Sequence, residues 1–227
     1  MAVCVPAVAS IVAGLNLERI RTSPLRQQLP PAALAFLEPL GGARSVLVAS
    51  DGVSYLVLTR GDFRQAPPGT TLLGRGLAVA GSPDWLRAAA SHRSAVVNGL
   101  VARAGPVATA DIWIAAAGGA QLPVSGNGEN FNRLLHETEY TTLAVRLADT
   151  LTIDVTGFCR GPDPARHLEE TVRAMVSLGA AATARQPAVS GLLRRIRVTR
   201  NDQAVQLTLV VDAAELETVF RLLSIGG

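Results

Sequence analysis

Residues 194–223, RRIRVTRNDQAVQLTLVVDAAELETVFRLL, constrain the fold more than any other stretch of this chain. They read as strand, tight turn, strand and capped helix. Asn201-Asp202 suits a two-residue hairpin turn, because both side chains tolerate positive φ. That turn sets Val198 against Val205 and Ile196 against Leu207 on one face, with Arg197 opposite Gln206 and Thr199 opposite Ala204 on the other. Asp212 and Glu215 have the spacing of an acidic capping box, and Leu216, Val219, Phe220 and Leu223 follow at helical intervals.

Two more hairpins use the same grammar. One spans residues 44–60 around Asp51-Gly52, with Val48 facing Tyr55 and Leu47 facing Leu56. Its strands are apolar on both faces, which predicts cover on both sides. The other turns through Ala148-Asp149-Thr150 and sets Leu143, Val145 and Leu147 against Val155, Ile153 and Leu151. There Thr142, Arg146, Thr152 and Thr156 point the opposite way, so one face is polar.

Further strands are expected at residues 10–15, 77–80 and 111–117. Asn16 caps a short helix, Ser23-Pro24 restarts it, and residues 32–40 add a further helical turn or two. Ser82-Pro83-Asp84 opens a helix carrying Trp85, Leu86 and Ala89, and Val96, Val97, Leu100 and Val101 mark another. Asp163-Pro164 begins the best-marked helix, with Leu168, Val172, Met175 and Val176 on one face and Gly179 at its end. The Gly- and Asn-rich stretch 118–132 divides the chain into halves, 1–119 and 120–227. Each half reads strand, helix, hairpin, helix, strand, and Gly61 and Gly157 occupy matching places. The expected fold is therefore α+β: two ferredoxin-like βαββαβ halves, antiparallel sheets with helices on one side, related by internal duplication.

Val12-Ala13-Gly14 with Asn16 and Glu18-Arg19, and the strand-to-helix corner at residues 79–83, resemble uncharacterised bacterial α+β proteins sharing these short motifs. The resemblance covers the first half and implies a fold without implying an activity.

Composition narrows the chemistry. All 21 basic residues are arginine, which removes lysine Schiff bases, a P-loop lysine and pyridoxal chemistry. The net charge of +3 is too small to imply nucleic acid by itself. Cys4 and Cys159 lack metal-like spacing and are the one possible disulfide. The apolar opening lacks a basic leader and is too short to span a bilayer, so it reads as a buried strand; no targeting signal is evident, and the default compartment is cytoplasmic unless a signal peptide precedes Met1.

No nucleophile–base pair, metal set or phosphate loop emerges, so no catalytic residue, metal or cofactor is assigned. His92, His136 and His167 read as solvated helix histidines, and the paired acids Glu169-Glu170 and Glu215 with Glu217 as solvated helix faces. The pointed feature is the arginine run before the last hairpin. On the register above Arg195 and Arg197 share an outer face beside Gln206, where they either keep a sheet edge soluble or hold an anion. The expected function is a non-enzymatic structural, sensory or interaction module, acting through a protein partner or self-association and without nucleic acid. The second reading is a small-molecule or anion binder, which includes an enzyme, with its site between the halves.

Overall fold

The computed structural model describes residues 1–29, 31, 42–91, 97–120 and 136–216. Its strands are β1 (Ile11–Asn16), β2 (Ala43–Ser50), β3 (Tyr55–Gly61), β4 (Thr71–Gly74), β5 (Leu77–Gly81), β6 (Ile112–Ala117), β7 (Tyr140–Leu147), β8 (Thr150–Phe158), β9 (Arg197–Asn201) and β10 (Ala204–Asp212). The described α-helices are α1 (Leu17–Thr22), α2 (Pro83–Ala90), α3 (Gly99–Arg103), α4 (Pro162–Ala182) and α5 (Pro187–Arg195). The fold is α+β. None of the described helices is long and apolar enough to cross a membrane.

Where two sheets were expected, all the described strands join one ten-stranded sheet, ordered β4-β5-β3-β2-β1-β6-β7-β8-β10-β9. The reason is the middle pairing. β1 and β6 run antiparallel from Ile11 opposite Ala116 to Leu15 opposite Ile112, and β6 then pairs with β7. Each strand that would have been an edge thus finds a partner for its free backbone groups. Outward from this junction, β1 to β5 and β6 to β10 follow the same order: first, second, third, fifth, fourth. β6 therefore opens the second set, although a boundary at residue 119 assigns it to the first half.

The two sets differ in how they are covered. The front of the first set carries Val12, Leu47, Ala49, Leu56, Leu58 and Val79, packed under Trp85 and Ala89 of α2 and Leu100 of α3. On the back, Leu17 and Ile20 of α1 and Leu25 of the 3-10 turn Pro24–Gln28 pack on Val46, in a cluster that also holds Leu147, Leu151 and Val211. Ala165, Leu168 and Val172 of α4 cover Val198 and Val205 on the back of the second set. Burial of each large side chain there stabilises by roughly 1.5–3 kcal/mol.

Two expected registers are corrected by two residues each. In the first hairpin Val48 faces Val57 and Leu47 faces Leu58, so that Ser50 and Tyr55 close a longer loop. Asp51 decides this: its Oδ1 accepts from the amides of Val53 (2.9 Å) and Ser54 (2.7 Å). Ser50 Oγ also accepts from Gly52 N at 3.0 Å, and Gly52 has φ +95°. In the last hairpin Asn201 pairs with Ala204, and the turn is Asp202-Gln203 with Asp202 at φ +49°. Val198 then faces Leu207, Thr199 faces Gln206 and Arg197 faces Thr208. A slip of two leaves every residue on its expected face, since side chains alternate with period two. The β7–β8 register is the expected one throughout.

Among the helices, α4 buries Leu168 and Val172 as expected, but Met175 is 37% exposed. Gly179 does not end the helix. It lies inside it facing α5, where an added Cβ would meet Leu193 at 3.5 Å. α5 itself was not anticipated, nor was β4. The apolar helix positions Val219, Phe220 and Leu223, the segment 32–40, His92, Val96 and most of the 118–132 boundary lie outside the described residues.

Candidate functional site

One register row shows how the front changes character across the sheet. It runs Val79, Leu58, Leu47, Gly14, Trp113, Ala144, Asp154, Thr208 and Arg197. Apart from Gly14, every residue from Val79 to Ala144 is buried. Gly14 is required there because the Trp113 indole lies against it: a Cβ would sit 2.2 Å from the ring. From Asp154 outward the row is polar, half-buried at Asp154 and Thr208 and exposed at Arg197.

Asp154 organises this open region. Its Oδ2 takes Arg146 Nη1 at 2.7 Å, and its Oδ1 accepts from Thr208 Oγ1 at 2.8 Å and from Gln206 Nε2 at 3.3 Å. Thr199 and Arg197 continue the surface on β9, both exposed. Arg197 has no polar partner among the described residues, and Val210 is 45% exposed beside it on β10. At one end of the same face Tyr140 and Phe158 are directly paired across β7 and β8, their rings stacked 4.3 Å apart. Arg103 lies 4.5 Å above the Tyr140 ring and reaches Glu139 at 2.5 Å. Burial raises the Tyr140 phenol above its ordinary range, so it remains a neutral hydrogen-bonding group.

The residues singled out from sequence are brought together only in part. Arg197 and Gln206 share the open face, one register step apart. Arg195 does not join them: it is the last residue of α5, and its Nη2 holds Glu215 at 2.5 Å. The expectation that it lies on the strand is corrected by the helix that sequence reading missed, for which Pro187 at the first helical turn is the signal. The Arg195 guanidinium draws the Glu215 carboxyl below its usual range, and Glu215 with Asp212 completes the expected capping box.

The arginine of β9 that faces the back is also committed. Arg200 Nε meets Glu169 at 3.0 Å, Arg173 reaches the same carboxylate at 2.9 Å, and Arg173 Nη2 donates to Val198 O at 2.6 Å. These two guanidinia hold Glu169 below the ordinary carboxylate range. α4 is thereby clamped to the sheet edge, and the β9 backbone is partly covered.

Sequence reading also missed a buried acid. Asp111 ends in the core with Oδ1 2.8 Å from Arg19 Nε, an ion pair without aligned hydrogen-bond geometry. Its Oδ2 accepts from Leu147 N at 2.7 Å. Asn16 meanwhile caps α1 through Arg19 N at 3.1 Å. Cys4 and Cys159 are both buried free thiols in separate core clusters, and burial pushes the Cys159 thiol up. His136 and His167 are exposed.

No protein-family model matches the chain, and no curated protein matches it. Solved structures with a similar fold include crystal forms III and I of TP0453. Form III superposes with a TM-score of 0.55 at 8% identity, covering 96% of each chain. Form I gives 0.52 at 8% identity, covering 98% of this chain and 96% of TP0453. At that identity the likeness concerns the fold alone, and it extends over essentially the whole ten-stranded architecture.

Proposed function

We propose that this protein is a non-enzymatic interaction module that binds a protein partner on the open front of β7, β8, β10 and β9. The observation carrying this reading is the preordered polar surface around Asp154, flanked by the Tyr140–Phe158 stack and by Arg197, whose side chain is unpartnered among the described residues. Side chains already held by cross-strand hydrogen bonds lose little freedom on binding. Aromatic residues and arginine are the types enriched in interface cores. Arg197 calls for a carboxylate on the partner, and Val210 for an apolar contact beside it. Tyr140 is engaged by Phe158 and Arg103, which disfavours base stacking and favours a protein ligand.

A photo-crosslinking residue at Thr199 should give a discrete adduct in the cell of origin, whereas one at Leu178 on α4, on the opposite side of the sheet, should give none. Arg197→Glu should abolish the Thr199 adduct. Equal adducts from both positions, or an adduct indifferent to Arg197→Glu, would remove the proposal. An adduct of twice the chain's mass would make the partner a second copy.

We also read the two strand sets as products of internal duplication. Their identical strand order, the antiparallel pairing of the two opening strands, and Gly61 and Gly157 near the ends of β3 and β8 support this.

A further inference from the structure

The structure holds a second concavity, far from the open front. At the outer end of the first set, Arg44, Arg60, Asp62, Leu73, Arg75 and Leu77 surround an open pocket of about 480 Å³ whose floor includes Gly61, Gly74 and Gly76. The floor exists because the backbones approach closely. Gly61 N donates to Gly76 O at 3.0 Å, and a Cβ on Gly61 would lie 2.1 Å from Gly42 O. Gly76 has φ +73°, and irregular pairing at Ala43/Ser45 and at Leu72/Gly74 bends the strands around it.

Charge in the pocket is unbalanced. Arg44 Nη2 is paired with Asp62 at 2.6 Å, and that carboxylate raises the guanidinium's already high pKa. Arg60 and Arg75 have no polar partner among the described residues. Arg44 is balanced by Asp62, with Glu18 also acting on it, so the two guanidinia of Arg60 and Arg75 remain as positive charges that suit a phosphate dianion. Planar guanidinium forks match phosphate oxygens in pairs. The pocket is also larger than a bare ion needs and lies in the size range of small-molecule sites, about 300–1,000 Å³. Leu73 and Leu77 supply an apolar wall for an organic group.

We propose that this pocket binds a small organic phosphate, its phosphoryl group held by Arg60 and Arg75 and its apolar part resting on Leu73 and Leu77. The site is separate from the open front and lies within the first strand set, whereas the anion readings of the sequence placed a site at Arg195 and Arg197 or between the halves.

Calorimetric titration at constant ionic strength tests this with phenyl phosphate, inorganic phosphate and benzoate. Phenyl phosphate should bind saturably and more tightly than either of the others. The double variant Arg60→Gln/Arg75→Gln should weaken it by about tenfold or more, as expected for losing charge-assisted hydrogen bonds. Arg197→Gln at the opposite edge of the sheet should leave it unchanged. Both pocket arginines are exposed, so the double variant keeps its fold, which circular dichroism verifies. Failure of phenyl phosphate to saturate the parent, or undiminished binding by the double variant, overturns the site. Inorganic phosphate binding as tightly overturns the organic part, and benzoate binding as tightly overturns the phosphoryl assignment.

Discussion

The two strand sets share one strand order but are built to different depths. The first is packed on both faces, by α2 and α3 in front and by α1 and its following turn behind. The second is packed behind by α4 and α5; in front the core continues over β6 and β7 at Trp113 and Ala144, and from Asp154 outward no described element covers the face. The contrast follows from alternation. β2 and β3 carry apolar residues at odd and even positions alike: Leu47 and Leu58 in front, Val46 and Val57 behind. β7, β8 and β10 alternate, with Val145, Ile153 and Leu209 behind and Arg146, Asp154 and Thr208 in front. A strand that is apolar on both sides requires two covers, whereas an alternating strand needs one and exposes a surface that can be used. The lesson is that strand order and cover are separate properties: the same topology yields a front that is core throughout in one set and polar from Asp154 outward in the other.

Leu58 and Asp154 lie in the same register row, on the equivalent strands β3 and β8, and offer the severest test of this contrast. Leu58→Ala should cost about 2–5 kcal/mol, because Leu58 is fully buried and its neighbours cannot all collapse into the space. Chemical denaturation measures it directly, and an unshifted midpoint would break the claim that the first set is covered in front.

The next effect belongs to the single cover of the second set. Leu168→Ala on α4 should cost about 2–4 kcal/mol, and Met175→Ala, one side of the same helix, under about 1 kcal/mol. Equal costs would mean that α4 sits on the sheet differently. Asp154→Ala should follow at about 1 kcal/mol, since it frees Arg146, Gln206 and Thr208 at a surface where water replaces the lost bonds. A loss as large as that of Leu58→Ala would show that the second front is a core after all.

The smallest effect sharpens the comparison through pH. The Glu169 carboxyl is held below its usual range by Arg173 and Arg200 when folded. A depressed folded pKa contributes stability that is fully present above the unfolded value and is lost as pH falls through the folded one. Glu169→Gln should therefore lower Tm at neutral pH, and the difference from the parent should shrink as pH drops below about 4. A difference constant with pH would mean that the α4–β9 clamp does not depend on charge.

Much of the local structure is legible in the residues themselves. The β7–β8 register follows from alternation and loop length, and the Asn16 cap and the Asp212–Glu215 box from spacing over three residues. The polar face of the second set can be read from Arg146, Thr152 and Gln206 at every second position. Each of these depends on neighbours only a few residues away, and short-range sterics and hydrogen bonding decide them. The hairpin slips mark the limit even locally: Asp51 chooses among loop geometries by which amides its carboxylate reaches, and residue identity does not specify that.

Only the tertiary structure decided that there is one sheet, because the pairing of Ile11–Leu15 with residues 112–116 joins strands a hundred residues apart, and alternation states what a strand needs on its faces without naming its neighbour. The same holds for Arg19 meeting Asp111, for Tyr140 and Phe158 arriving beside Arg197 and Gln206, and for Arg44, Arg60 and Arg75 enclosing one pocket. These arrangements arise from long-range packing and from strands seeking partners for their edges. The sequence determined which surfaces had to be buried; the assembled sheet determined which of the remaining ones face each other.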